Sequence, residues 1–112
     1  MGNKILIVED DQDLARAMAI QLNAKGYSLV MANDGISAVS TARKEKPDLI
    51  VLDLGLPAGD GFVVMKSLKA LPDLMLVPII VVSARDFKAT EARAIQAGAH
   101  SFFQKPYEAA PS

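Results

Sequence analysis

Residues 49–57 read LIVLDLGLP: four apolar residues run without interruption into one carboxylate, Asp53, and glycine and proline then break the chain. An unbroken run of Leu, Ile and Val bounded by turn formers is the pattern of a strand buried on both faces, as central strands of a parallel sheet are. Asp53 would stand where that strand runs out of the sheet.

Working outward, four more short apolar runs stand out: 4–8 (KILIV), 28–32 (SLVMA), 78–82 (PIIVV) and 101–104 (SFFQ), while the opening run is expected to start at Asp48 and cover 48–52. The first, third and fourth along the chain are expected to be buried on both faces. Between the runs lie stretches with helical spacing, at Leu14, Ala17, Met18 and Leu22, at Ala38, Val39 and Ala42, at Phe62, Met65 and Leu68, and at Ala89, Ala92 and Ile95. Gly26, Pro47 and Gly98 punctuate helix ends, and Asp11, Asp34 and Asp60 are candidate N-caps. Strands alternating with helices over such connections imply parallel pairing, right-handed crossovers and helices on both faces of the sheet. The expected class is doubly wound α/β.

The 112 residues suit one domain. Hydrophobic residues make up 51% and charged ones 22%, with mean hydropathy +0.23, enough apolar material for a core and too little polarity for disorder. Twelve basic residues against thirteen acidic ones leave a net charge of -1, so no basic field is available to hold a nucleic-acid backbone. The absence of cysteine excludes disulfides and thiolate metal sites. No signal peptide and no run of about 18 apolar residues is present, so a cytoplasmic protein without membrane segments is expected.

In a parallel sheet the strand C-termini gather along one edge, where open α/β sheets bind ligands. The first strand runs into Glu9, Asp10 and Asp11, the third into Asp53, the fourth into Ser83 and the fifth into Lys105. Carboxylates converging within ~4 Å repel by roughly 4 kcal/mol per pair at an effective dielectric near 20, so a cation should sit among them. Mg²⁺ fits, because it takes oxygen ligands and commonly completes its shell with water and a phosphoryl oxygen. Acids, metal, lysine and hydroxyl together describe a place where a phosphoryl group is held, and a carboxylate there can be the nucleophile. Asp53, alone on its strand, is the nucleophile candidate. The alternatives are that Asp11 is only a helix cap, Ser83 a cap of the fourth helix and Phe102 a plain core aromatic. His100, a lone histidine beside Gly98, reads as an exposed loop residue.

The segments ILIVEDD, PDLIVLDLGLPAGDG, PIIVVSAR and GAHSFFQKPY, in that order, resemble the receiver domain of two-component response regulators, the CheY-like family, over residues 4–107. The resemblance implies a flavodoxin-like five-stranded parallel sheet in the order 2-1-3-4-5. It implies that Asp53 accepts a phosphoryl group from a sensor histidine kinase or a histidine phosphotransfer protein. Asp10 and Asp53 would ligate Mg²⁺ or Mn²⁺, with Glu9 acting mainly through water and Gly55 through its backbone carbonyl. Ser83 and Lys105 would pair with the phosphoryl oxygens, and Ser83 and Phe102 would form the switch that alters partner binding. The resemblance further implies a cis Lys105–Pro106 peptide and tuning of acyl-phosphate hydrolysis by Gly55 and Arg85.

Such a module promotes its own phosphorylation and dephosphorylation without being a conventional turnover enzyme. Two rivals are a receiver-like protein-binding module that is never phosphorylated and a metal-dependent phosphohydrolase with an aspartyl nucleophile. The second carries its nucleophile on the first strand in a D-x-D pattern, unlike Asp53. Residues 1–107 are the expected receiver domain and 108–112 (EAAPS) a short tail with no output domain. That tail cannot build the fifth helix usual in the family, since Pro111 removes a donor and short helices are marginal in water. The expectation is a truncated or absent fifth helix and an open sheet face, covered by a second copy as a homodimer or by a further segment.

Overall fold

The computed structural model describes residues 3–55, 61–83 and 87–104. Within them the chain alternates β1 (Lys4–Val8), α1 (Gln12–Ala24), β2 (Ser28–Ala32), α2 (Gly35–Glu45), β3 (Leu49–Asp53), α3 (Gly61–Lys69), β4 (Ile79–Ser83), α4 (Phe87–Gln96) and β5 (Ser101–Gln104). All neighbouring strands pair in parallel, in the order β2-β1-β3-β4-β5. The doubly wound class and the strand order are as expected from the sequence. A fifth helix would fall beyond the described residues, as do the candidate cap Asp60 and the Lys105–Pro106 bond.

Strand period sorts the side chains onto two faces. Leu6 and Val8, Ile50 and Leu52, and Ile79 and Val81 point to the side covered by α2, α3 and α4, where they meet Ala38, Ala42, Met65, Leu68 and Ala94. Ile5, Ile7 and Val51 point to the other side, against Ala15 of α1.

Helix starts are set by the residues the sequence marks. Asp11 Oδ1 accepts from the backbone N–H groups of Asp13 and Leu14 at 3.0 and 3.1 Å, and Asp34 Oδ1 accepts from Ser37 N–H at 2.8 Å. These bonds satisfy donors that a helix N-terminus leaves open. The bond from Ser37 also holds the Asp34 carboxyl below the usual carboxylate range. Gly26 and Gly98 close helix ends at φ +96° and +114°, conformations that side chains oppose. Lys46 does the same work at φ 50° without being glycine, and its N–H donates to Ala42 O at 2.9 Å. Lys4 Nζ meets Glu45 Oε1 at 2.9 Å and ties the start of β1 to the end of α2.

Three expectations need correction. β3 and β4 each lie one residue later than read, at Leu49–Asp53 and Ile79–Ser83, because Leu54 N–H still donates to Val82 O at 3.2 Å and extends the ladder. Ile80 and Val82 of β4 are only half-buried, so β4 is fully buried on one face alone. Among the residues of α4 whose burial is described, Thr90 and Ala94 are buried and Ala89, Ala92 and Ile95 exposed, and in α1 Ala15 is buried where Ala17 is exposed.

Candidate functional site

β1 and β3 are adjacent and in register, Val8 opposite Leu52, so the residues that follow arrive side by side at the C-terminal edge. Glu9 leaves β1 with its backbone N–H donating to Ala32 O at 3.0 Å, and its side chain is 1% exposed. Its Oε2 accepts from Asp11 N–H at 3.1 Å. Asp10 projects outward and is exposed. Asp53, the last residue of β3, is 4% exposed, and its Oδ1 accepts from Gly55 N–H at 3.0 Å. One carboxylate oxygen from each of Glu9, Asp10 and Asp53 lies within 4.8 Å of the others.

Three carboxylates this close, two of them buried, form a hard-oxygen donor set with strong mutual repulsion. That chemistry fits a divalent cation of the Mg²⁺ or Mn²⁺ type, which favours carboxylate and carbonyl oxygens and leaves positions for other ligands. Asp11, by contrast, turns its carboxylate to the α1 cap, which resolves its two readings in favour of the cap.

Ser83 ends β4 and is 1% exposed. Its predecessor Val82 is the register partner of Asp53, so the hydroxyl-bearing residue stands one step further out on the neighbouring strand. Phe102 of β5 pairs with Val81 and is buried with the large core at 6% exposed, while Phe103 faces the opposite side. Lys105 and Arg85 lie outside the described residues.

Two glycines shape the space around Asp53. A Cβ at Gly55 would sit 3.7 and 3.9 Å from the two carboxylate oxygens of Asp53, in ordinary contact, so Gly55 itself places no side chain against that carboxylate. At Gly61 a Cβ would lie 2.5 Å from Leu54 Cα and 2.9 Å from Asp53 O. Only glycine permits the first turn of α3 to approach the end of β3 so closely, and Gly61 N–H donates to Leu54 O at 3.2 Å across the contact. Nothing in the sequence around Gly61 marks this close approach. A second unanticipated feature is a cleft of about 280 Å³ beside Glu9, lined also by Gln12, Asn33 and Ser37.

Comparison with known proteins agrees with this geometry. The family model described as response regulator receiver domain matches residues 5–111. The alkaline phosphatase synthesis transcriptional regulatory protein PhoP of Bacillus subtilis is 36% identical over 107 residues, covering 96% of this chain and 44% of the relative. The chain therefore spans less than half the length of that relative. The BeF3-activated N-terminal receiver domain of RstA from Klebsiella pneumoniae superposes with TM-score 0.86 at 28% identity, over 95% of this chain and 88% of that one. The Mn²⁺-bound form of response regulator Rcp1 gives TM-score 0.85 at 26% identity, over 95% and 83%.

Proposed function

The chain belongs to the response regulator receiver domain family, and from this we infer a phosphorylation-dependent signal receiver whose phosphoacceptor is Asp53. The observation that carries the reading is the carboxylate of Asp53, held at the strand edge within 4.8 Å of Glu9 and Asp10, with no side chain from Gly55 against it. An Asp53 carboxylate oxygen attacks phosphorus of a partner's phosphohistidine, an O–P bond forms, the N–P bond breaks and the imidazole leaves with the electron pair. The partner is a sensor histidine kinase or a histidine phosphotransfer protein, and the exchange takes place in the cytoplasm.

A Mg²⁺ or Mn²⁺ ion held by Glu9, Asp10, Asp53 and the Gly55 carbonyl would supply charge neutralisation for the incoming phosphoryl oxygens. The Mn²⁺-bound state of Rcp1 supports that choice of metal. Ser83 Oγ donates to a phosphoryl oxygen, and Lys105, outside the described residues, pairs with another. Recruiting Ser83 frees space beside Phe102, and the two side chains favour one of two arrangements according to whether phosphate is present. Gly55, by placing no side chain against the carboxylate, admits the water that later hydrolyses the acyl phosphate. The module is consumed and restored in this cycle and turns over no separate substrate. Self-association through the half-covered face around Leu14, Met18, Val82 and Phe103 belongs to the same reading; a sedimentation profile that stays monomeric at micromolar concentrations removes it.

Incubation with acetyl phosphate and Mg²⁺, read by intact mass, tests the acceptor. We expect the mass gain of one phosphoryl group, its loss in Asp53→Asn, and strong reduction in Asp10→Asn or on chelation of the metal. A wild-type chain that stays unlabelled under these conditions supports the non-phosphorylated binding module instead. Labelling that persists in Asp53→Asn would overturn the assignment of the acceptor.

A further inference from the structure

α3 and α4, the helices that follow the strands of Asp53 and Ser83, enclose a notch of about 500 Å³ lined by Phe62, Lys66, Lys69, Ala70, Arg93 and Ala97. The Arg93 guanidinium lies 3.9 Å from the centroid of the Phe62 ring. Stacking of this kind fixes the plane of the guanidinium while leaving its N–H edge available. Among the described residues neither Arg93 nor Lys66 pairs with a carboxylate. Lys69 is anchored, its ammonium donating to Met75 O at 3.2 Å and Val77 O at 3.4 Å, so its carbon stem forms a fixed wall.

Basic residues in the last turns of α3 and α4 suit the helix dipoles. Dipole compensation alone does not require cations of two helices to share one concavity, nor one of them to be stacked across the gap on an aromatic ring. Among the described residues the lining has a distinct chemistry: its side chains are cationic or apolar, and none is a hydrogen-bond acceptor. Nucleobase edges mix donors with acceptors, whereas a carboxylate presents acceptors only and so matches the cationic side chains here. A bare inorganic anion would leave the exposed methyl groups of Ala70 and Ala97 uncovered.

We propose that the notch between α3 and α4 docks an acidic segment of a partner protein, with carboxylates on Arg93 and Lys66 and an apolar side chain on the floor between them. Charge complementarity selects the occupant, because the notch concentrates positive charge on a chain whose net charge is -1. The proposal stands independently of phosphorylation at Asp53.

The test is fluorescence anisotropy of a labelled peptide alternating glutamate and leucine, titrated with the whole chain. Saturable binding is expected, weaker as salt rises from about 50 to about 200 mM. Arg93→Ala should weaken it about tenfold, and the double change with Lys66→Ala further, as expected for a stacked arginine anchor. Phe62→Leu should weaken it by about threefold by releasing the guanidinium plane. Arg43→Ala with Lys44→Ala removes two exposed cations from the end of α2 and should leave affinity unchanged within about twofold. Circular dichroism keeps unfolding of any variant distinguishable from lost binding. No saturable binding, an equal loss in the α2 pair, or equal competition by all-glutamate peptide or polyphosphate would each overturn the proposal.

Discussion

The face of the sheet under α2, α3 and α4 gathers eighteen buried residues among those described, whereas the face under α1 gathers four, Ile5, Ile7, Ala15 and Val51. The same strands supply both. In β4, Ile79 and Val81 are fully buried while Ile80 and Val82, one residue away, are half-buried. In β5 the contrast is sharper, with Phe102 at 6% and Phe103 at 57% exposed. One helix is about 10 Å across and strands are about 4.8 Å apart, so α1 covers about two strands of five. Among the described residues it packs chiefly on β1 and β2 and only borders Val82 of β4, and Leu14, Met18, Val82 and Phe103 line an apolar groove of about 430 Å³ there. Strand sequence fixes which side chains point where; the number of helices laid on a face decides how much burial results.

Urea denaturation of single variants can break this comparison. Leu52→Ala, in the thick layer, should cost about 3 kcal/mol, as deletions from closely packed cores do. Gly61→Ala should cost about 2 kcal/mol, because backbone atoms of Leu54 and Asp53 stand where the methyl would go. It should also lower acetyl-phosphate labelling, since relief of that contact shifts Asp53. Val82→Ala, half-buried on the thin side, should cost about 1 kcal/mol, and Phe103→Gln less than about 0.5 kcal/mol. Costs for Leu52→Ala and Val82→Ala within error of one another would show that the two layers are equally packed.

The smallest effect concerns acid. Lys4 holds the Glu45 carboxyl below the usual carboxylate range, chiefly through their hydrogen bond and also through its charge. A depressed carboxyl contributes stability above its unfolded pKa and loses it as pH falls through its folded one. The penalty of Glu45→Gln in thermal melts should therefore be present near neutrality and fade as pH drops below the ordinary glutamate range. A penalty that persists unchanged in acid would mean that the charge is not what matters there.

Much of this was legible in the chain. The strand runs gave the class, and carboxylates placed after apolar runs gave Glu9, Asp10 and Asp53, because a parallel sheet delivers every strand end to one edge. What escaped was tertiary in origin. The buried face of α4 differs from the expected one because its alanines at 89, 92 and 94 fit more than one helical phase. The ends of β3 and β4 were set by a backbone bond from Leu54 to Val82, which no side chain announces. The left-handed Lys46 carries no glycine to mark it, and the close approach at Gly61 exists only once β3 and α3 are side by side.

Gly61 also has a mechanical consequence. With its α-carbon pressed against Leu54 and the carbonyl of Asp53, the first turn of α3 is a fulcrum, and the nine-residue helix beyond it is a lever arm of about 13 Å. A tilt of about 5° at the fulcrum carries the far end, where Lys66 and Lys69 sit, through about 1 Å. Displacements too small to notice at the carboxylate are thereby magnified at the opposite end of the helix.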